Sequence, residues 1–130
     1  MALTLQNNGN VSYNFTVAAA NTVTQGAVVV GSTSEIAMPA GANAANVVGI
    51  ALEDAAAAAQ CDVGVSGVFA AICSEAISPI GVPLTVNGTT GKVEEADADN
   101  EDIVGVAMST TGADGDEVLV LLRQGSFNTA

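Results

Sequence analysis

Val47-Val48-Gly49-Ile50-Ala51-Leu52 is written twice in this chain. Ile103-Val104-Gly105-Val106-Ala107-Met108 repeats it 56 positions later, with the glycine in the same place and an apolar residue of similar size at every other position. Runs rich in β-branched residues form strands, and a glycine inside one marks a bulge or a close approach of neighbouring backbone. A polar or acidic linker follows each copy, and then a second apolar run, at residues 63–72 and 118–122. The reading is two related strand–excursion–strand units, hairpin-like, packed into one small β domain. The repeated segments carry no reactive side chain and are scaffold.

The flanks extend the same pattern. Leu3-Thr4-Leu5 alternates like a strand and leads into a polar cluster at residues 6–10 that reads as a turn or an arm. Tyr13, Phe15 and Val17 alternate with Ser12, Asn14 and Thr16, a half-buried strand at period two. Two of the chain's four aromatics lie on that face, which is either the densest part of the core or a contact surface. Residues 23–31 read as a strand entered through Gly26 and closed by Gly31, residues 32–37 as a further short strand, and residues 39–46 as a loop. Residues 53–60 contain five consecutive alanines behind Glu53 and Asp54, which favours a short helix or an ordered loop. Residues 78–83 carry two prolines and form a loop, after which Leu84-Thr85-Val86 runs into Asn87-Gly88, a hairpin signal returning at Lys92 and Val93. Residues 94–102 are mostly acidic and read as an exposed loop. Residues 112–115 turn into the last strand, and residues 125–130 form a polar tail around Phe127. The fold class is all-β, a small β-barrel or sandwich of short strands with at most one short helix near residues 53–60. Residues 1–20 form an N-terminal arm and first strands, and residues 21–130 a single β-rich domain.

Composition narrows the function. The 130 residues suffice for one domain with a real core. Aromatics are only 3% and Trp is absent, so the core is built from small aliphatic side chains that bury little area each. Burial between subunits would supplement such a core, which favours an oligomer. Fourteen acids face only Lys92 and Arg123, a net charge of −12. A surface this acidic repels phosphate backbones and anionic membranes, so nucleic acid and lipid are excluded as partners. The same charge keeps a protein soluble at high copy number. The first ten residues show neither a basic region nor an apolar core of a secretory signal, and no apolar run approaches the ~18 residues of a membrane span. Cys61 and Cys73 read as two free, partly buried thiols of a chain made in a cytosol.

Chemistry is scarce. Without histidine there is no imidazole base and no histidine metal site. Neither cysteine has an activating base or cation near it in sequence. Acid pairs exist, but glycosidase clefts use aromatic sugar platforms that four aromatics in total do not supply. The run Asp97-Ala98-Asp99-Asn100-Glu101-Asp102 fails as a calcium loop, with Asp102 where glycine belongs and Met108 where the closing glutamate belongs. Asp114-Gly115-Asp116-Glu117 is an equally loose match. No cofactor, metal site or small-molecule substrate is expected, and no enzymatic activity.

Taken in order, several motifs carry a resemblance. They are the first repeated segment, Val63-Gly64-Val65-Ser66-Gly67-Val68-Phe69, Ile80-Gly81-Val82-Pro83-Leu84, Thr90-Gly91-Lys92-Val93, the second repeated segment, and Val118-Leu119-Val120-Leu121-Leu122-Arg123. Their succession resembles small phage capsid decoration proteins, also called cement proteins. In that family a G-V-A strand, a G-V-F strand, a G-x-x-L/V-Y strand, a T-G-K-V hairpin and a second G-V-A strand follow one another. The resemblance spans residues 45–123, and it departs at Leu84-Thr85-Val86, where the family carries an aromatic. It implies a β-rich homotrimer on the outside of an expanded icosahedral head, clamping neighbouring subunits of the major capsid protein lattice. It implies a place on the virion exterior after synthesis in the host cytoplasm. Leu3 and Leu5 of the arm, Tyr13, Phe15 and Phe127 are then the candidates for contact with the shell or a neighbouring subunit, against ordinary packing within one subunit. The rival reading is a β-sandwich adhesion or carbohydrate-binding module on a virion or cell surface, which the missing Trp disfavours. The acidic runs supply a direct test: calcium should not move the melting temperature by more than about two degrees. A large shift reversed by a chelator would contradict the reading of these runs as solvated acids.

Overall fold

The computed structural model describes residues 9–41, 45–97 and 101–127. Ten strands follow in order: β1 (Val11–Thr16), β2 (Val28–Ser32), β3 (Glu35–Ala37), β4 (Val47–Ala51), β5 (Gln60–Ser66), β6 (Val68–Ile72), β7 (Pro83–Val86), β8 (Val93–Glu95), β9 (Glu101–Ala107) and β10 (Glu117–Phe127). They form two antiparallel five-stranded sheets, ordered β1-β5-β4-β2-β3 and β6-β10-β9-β7-β8. No helix occurs among the described residues, and neither sheet closes into a barrel, so the all-β expectation resolves to a small sandwich. The edges of each sheet meet only at a single parallel bridge, Val17 with Ile36 and Cys73 with Val93.

The second sheet repeats the first strand for strand. Isolated antiparallel bridges match as well, Val23 with Ala55 and Ile77 with Thr111. So do hydrogen bonds outside the ladders: Gly26 N–H donates to the Ala51 carbonyl and Gly81 N–H to the Ala107 carbonyl. Leu52 N–H donates to Asp62 and Met108 N–H to Leu119 in the same way. The duplicated segment quoted above is therefore β4 and β9, the visible part of a repeat in which residues 12–66 correspond to residues 68–123.

This arrangement corrects two expectations and decides a third. The apolar run at residues 63–72 is not one strand: it crosses the repeat boundary at Gly67, whose φ of 114° turns the chain. Asn10 holds that turn, its amide donating to the Val68 carbonyl at 3.2 Å and its side-chain oxygen accepting from Val68 N–H at 3.0 Å. Of the two forms expected for the alanine run, a short helix or an ordered loop, it takes the loop, because Ala55 is drawn into the bridge with Val23 and Ala58 adopts φ 66°. The acidic run at residues 94–102 is only partly loop, since Glu94 and Glu95 pair with Thr85 and Leu84, and Asp102 lies in β9. Residues 98–100 of that run lie outside the described residues. The hairpin signal at Asn87-Gly88 holds, with Asn87 N–H donating to the Lys92 carbonyl at 2.8 Å.

Two buried clusters fill the molecule. The first gathers Val17, Val23, Val29, Ile36, Ala51 and Val63, among others. The second contains Ile77, Leu84, Val104 and Val120 of the second repeat, and also Val28 and Ile50 of the first. Successive residues of a strand point to opposite faces. Val28 and Val29 in β2, and Ile50 and Ala51 in β4, therefore serve different cores, and these strands are buried on both sides. One polar side chain is buried among the described residues, Thr85, and its hydroxyl donates to the Asp102 carbonyl at 2.8 Å.

The glycines of the duplicated segment have one physical cause. A Cβ on Gly49 would land on the carbonyl oxygen of Gly64 in β5, and a Cβ on Gly105 on that of Leu121 in β10. Close approach of the neighbouring strand, anticipated from the sequence, thus excludes any side chain at either place. Gly105→Ala should lower the unfolding free energy by about 2–3 kcal/mol in a urea titration. Gly112→Ala, where a Cβ meets nothing, should stay within about 0.5 kcal/mol. Equal effects would show that the close approach is not what the glycine is for.

Candidate functional site

Among the described residues both thiols and several carboxylates are committed to the fold. Cys61 is buried in the first core and Cys73 in the second, and both are free thiols. Burial, followed by the negative charges of Glu53 and Asp62, pushes the Cys61 thiol above its usual pKa, which suppresses the thiolate needed for nucleophilic chemistry. The carboxylates accept hydrogen bonds from loop backbone. Glu53 takes Asp62 N–H at 2.9 Å, Asp54 takes Gln25 N–H at 2.8 Å, and Glu75 takes Glu95 N–H at 3.0 Å. Asp116 accepts from Gly112 and Ala113, which accounts for the acidic turn at residues 114–117 as a self-capped loop. Lys92 pairs with Asp114 at 2.9 Å on the surface, a contact worth at most about 1 kcal/mol. Among the described residues no group of three potential metal ligands comes together.

Two shallow grooves lie at the junction of the repeats. One of about 290 Å³ is lined by Thr24, Gln25, Ala27, Met38, Ile72, Thr90 and Lys92. The other, about 240 Å³, is lined by Asn10, Ser12, Leu52 and Phe69. Both fall just under the roughly 300–1,000 Å³ of small-molecule sites, and neither brings a nucleophile and a base together.

The remaining feature is apolar surface. Tyr13 is 61% exposed on β1, whereas Phe15, two residues on, packs against the first core and Val17 is fully buried. The aromatic face foreseen as core or contact surface is thus core at one end and open at the other. Leu3 and Leu5 lie outside the described residues, and Phe127 ends β10 with its backbone paired to Glu101. Sequence reading missed a second exposed group, Ile80 at 60%, Met108 at 41% and Leu119 at 37%. Backbone bonds from Gly81 to Ala107 and from Met108 to Leu119, each 2.7 Å, draw the three segments together on the second repeat. Only the matched strand pairing shows it, setting Ile80 and Leu119 against Gln25 and Asp62 of the first repeat.

The architecture has a solved counterpart. The crystal structure of the head fiber gp8.5 N base in bacteriophage phi29 matches with a TM-score of 0.65, covering 92% of this chain and 98% of that chain at 16% sequence identity. At that identity the likeness speaks for the fold. No curated protein matches the chain. The model of the phage cement protein family matches residues 6–122, from the arm through nine strands and into β10. The chain belongs to the phage cement protein family and is a capsid-associated structural protein of the virion.

Proposed function

We propose that the chain binds as a homotrimer to the outer surface of an expanded icosahedral phage head and stabilises it by clamping neighbouring major capsid subunits. The family match over residues 6–122 carries this reading. The physical character of the molecule supports it. A ligand that binds one state of a lattice stabilises that state by mass action, about 2.7 kcal/mol at a hundredfold excess over its dissociation constant. Such a ligand needs a stiff scaffold, surfaces that match the lattice and no catalysis. Three linked copies further multiply weak contacts through effective concentration. The net charge of −12 suits a protein displayed at high density on the exterior of a particle and made in the host cytoplasm.

The contact residues in this reading are Leu3 and Leu5 of the arm, Tyr13 and Phe15 of β1, and Phe127 at the end of β10, together with the exposed Ile80, Met108 and Leu119. Residues 1–20 act as the arm reaching the shell or a neighbour, and the remainder as the decoration domain. A carbohydrate-binding role draws no support from the surface, where Tyr13 is the one exposed aromatic among the described side chains.

Co-sedimentation with purified heads tests the proposal. The protein should pellet saturably with expanded, undecorated shells of the parent phage and not with unexpanded shells, and bound shells should resist heat better than bare ones. Absence of pelleting with either shell at micromolar protein would contradict the proposed function.

A further inference from the structure

The two repeats bury corresponding surfaces unequally. In the first repeat Gly26, Ala27, Val28, Ile50 and Gly64 are all buried, and the second repeat covers this face. The Ile72 side chain lies on Gly26, Gly91 against Ala27 and Val28, and the Phe69 ring on Gly64. Ile72 N–H donates to the Gly26 carbonyl at 3.0 Å and Val28 N–H to the Gly91 carbonyl at 2.9 Å, fixing the two repeats in register.

The corresponding places in the second repeat are Gly81, Val82, Pro83, Val106 and Leu121, following the matched pairs Val28 with Ile50 and Pro83 with Val106. None of the five carries a polar side chain and none is buried. A Cβ on Gly81 would meet nothing, whereas one on Gly26 would meet Ile72 Cγ1 at 2.8 Å. Exposed Ile80, Met108 and Leu119 surround this open face. A contiguous apolar surface on a chain of net charge −12 points to a partner.

The covering side has a spare copy too. Tyr13 pairs with Val63 as Phe69 pairs with Val120, so Tyr13 occupies the place of Phe69 in the repeat. Phe69 is half-buried against the other repeat, and Tyr13 has no repeat to cover. The chain therefore presents an uncovered acceptor face at one end and an unused aromatic edge at the other.

We propose that a second copy of this chain covers the Ile80, Met108 and Leu119 face with its Tyr13 edge, continuing between chains the packing that joins the repeats within one. The contact is heterologous, so copies join head to tail and form a ring when the rotation closes. The number three comes from the proposed function, on which the inference rests for its copy count; the surface itself is read from the repeats. Leu121 stands where Gly64 leaves a hollow, so the Tyr13 ring lies across the face and keeps its hydroxyl in water. Charge opposes the approach of copies, and association strengthens as salt screens it.

Sedimentation velocity on three proteins tests this surface. Ile80→Gln with Leu119→Asp places the first repeat's own residues on the acceptor face, and Tyr13→Ser removes the covering edge. All three positions are exposed, so circular dichroism should remain that of the wild type. The wild type should sediment as an oligomer, and each variant alone as a monomer. An equal mixture of the two variants should give a heterodimer, because it contains one intact face of each kind. A monomeric wild type, an oligomer indifferent to both variants, or variants that fail to re-associate on mixing would overturn the proposal. Shell co-sedimentation run in parallel separates the two claims: a monomeric wild type that still pellets overturns this surface and leaves the proposed function standing.

Discussion

Burial of β2 and β4 on both faces is the constraint from which the rest of the molecule follows. Val28 and Ile50 reach into the second core, while Val29 and Ala51 belong to the first. Each such side chain contributes roughly 1.5–3 kcal/mol when withdrawn from water. A chain with 3% aromatics assembles its core from many small increments of this kind. Sharing two strands between both cores lets short aliphatic side chains do what larger ones do elsewhere. It also explains the small residues around the seam, since Gly26, Gly64 and Gly91 each lie against a side chain or backbone of the other repeat.

The same economy governs the polar groups. Several carboxylates, Glu53, Asp54 and Asp116 among them, are engaged with loop amides, and both thiols are buried. What the fold leaves over is apolar surface on the second repeat and an aromatic on the first. A member of the phage cement protein family acts through surfaces, and duplication supplies two versions of each surface. One version is consumed within the chain, and the other is left facing outward.

Much of the fold was legible in the sequence, and the limits have physical causes. The duplicated Val47–Leu52 segment located β4 and β9. Its glycine foretold close strand approach, because a β-branched run gives up a side chain where neighbouring backbone needs the space. The extent of the repeat was hidden, because the strands around it kept burial and not identity: Val17 corresponds to Cys73, and Val29 to Leu84. The boundary at Gly67 was hidden because apolar residues continue through it. Alanine's helix propensity left a helix and a loop both open at residues 55–59, and there cross-strand hydrogen bonds from Ala55 and Ala58 outweigh a preference of a few tenths of a kcal/mol per residue. Tyr13 could be singled out by its rarity and its place in a strand. The Ile80, Met108 and Leu119 surface could not, because exposure of an apolar residue is set by what covers it and only the paired repeats reveal what is missing.

The two repeats share a core and so form one cooperative unit. A urea titration followed through resolved methyl resonances of both repeats tests it most directly, using Val17 and Ile36 for the first core and Leu84 and Val120 for the second. All four should show a single midpoint and a single slope, since unfolding either repeat removes the packing of Val28 and Ile50 against the second core. Separate midpoints for the two pairs would contradict it and make the chain two independent domains in tandem.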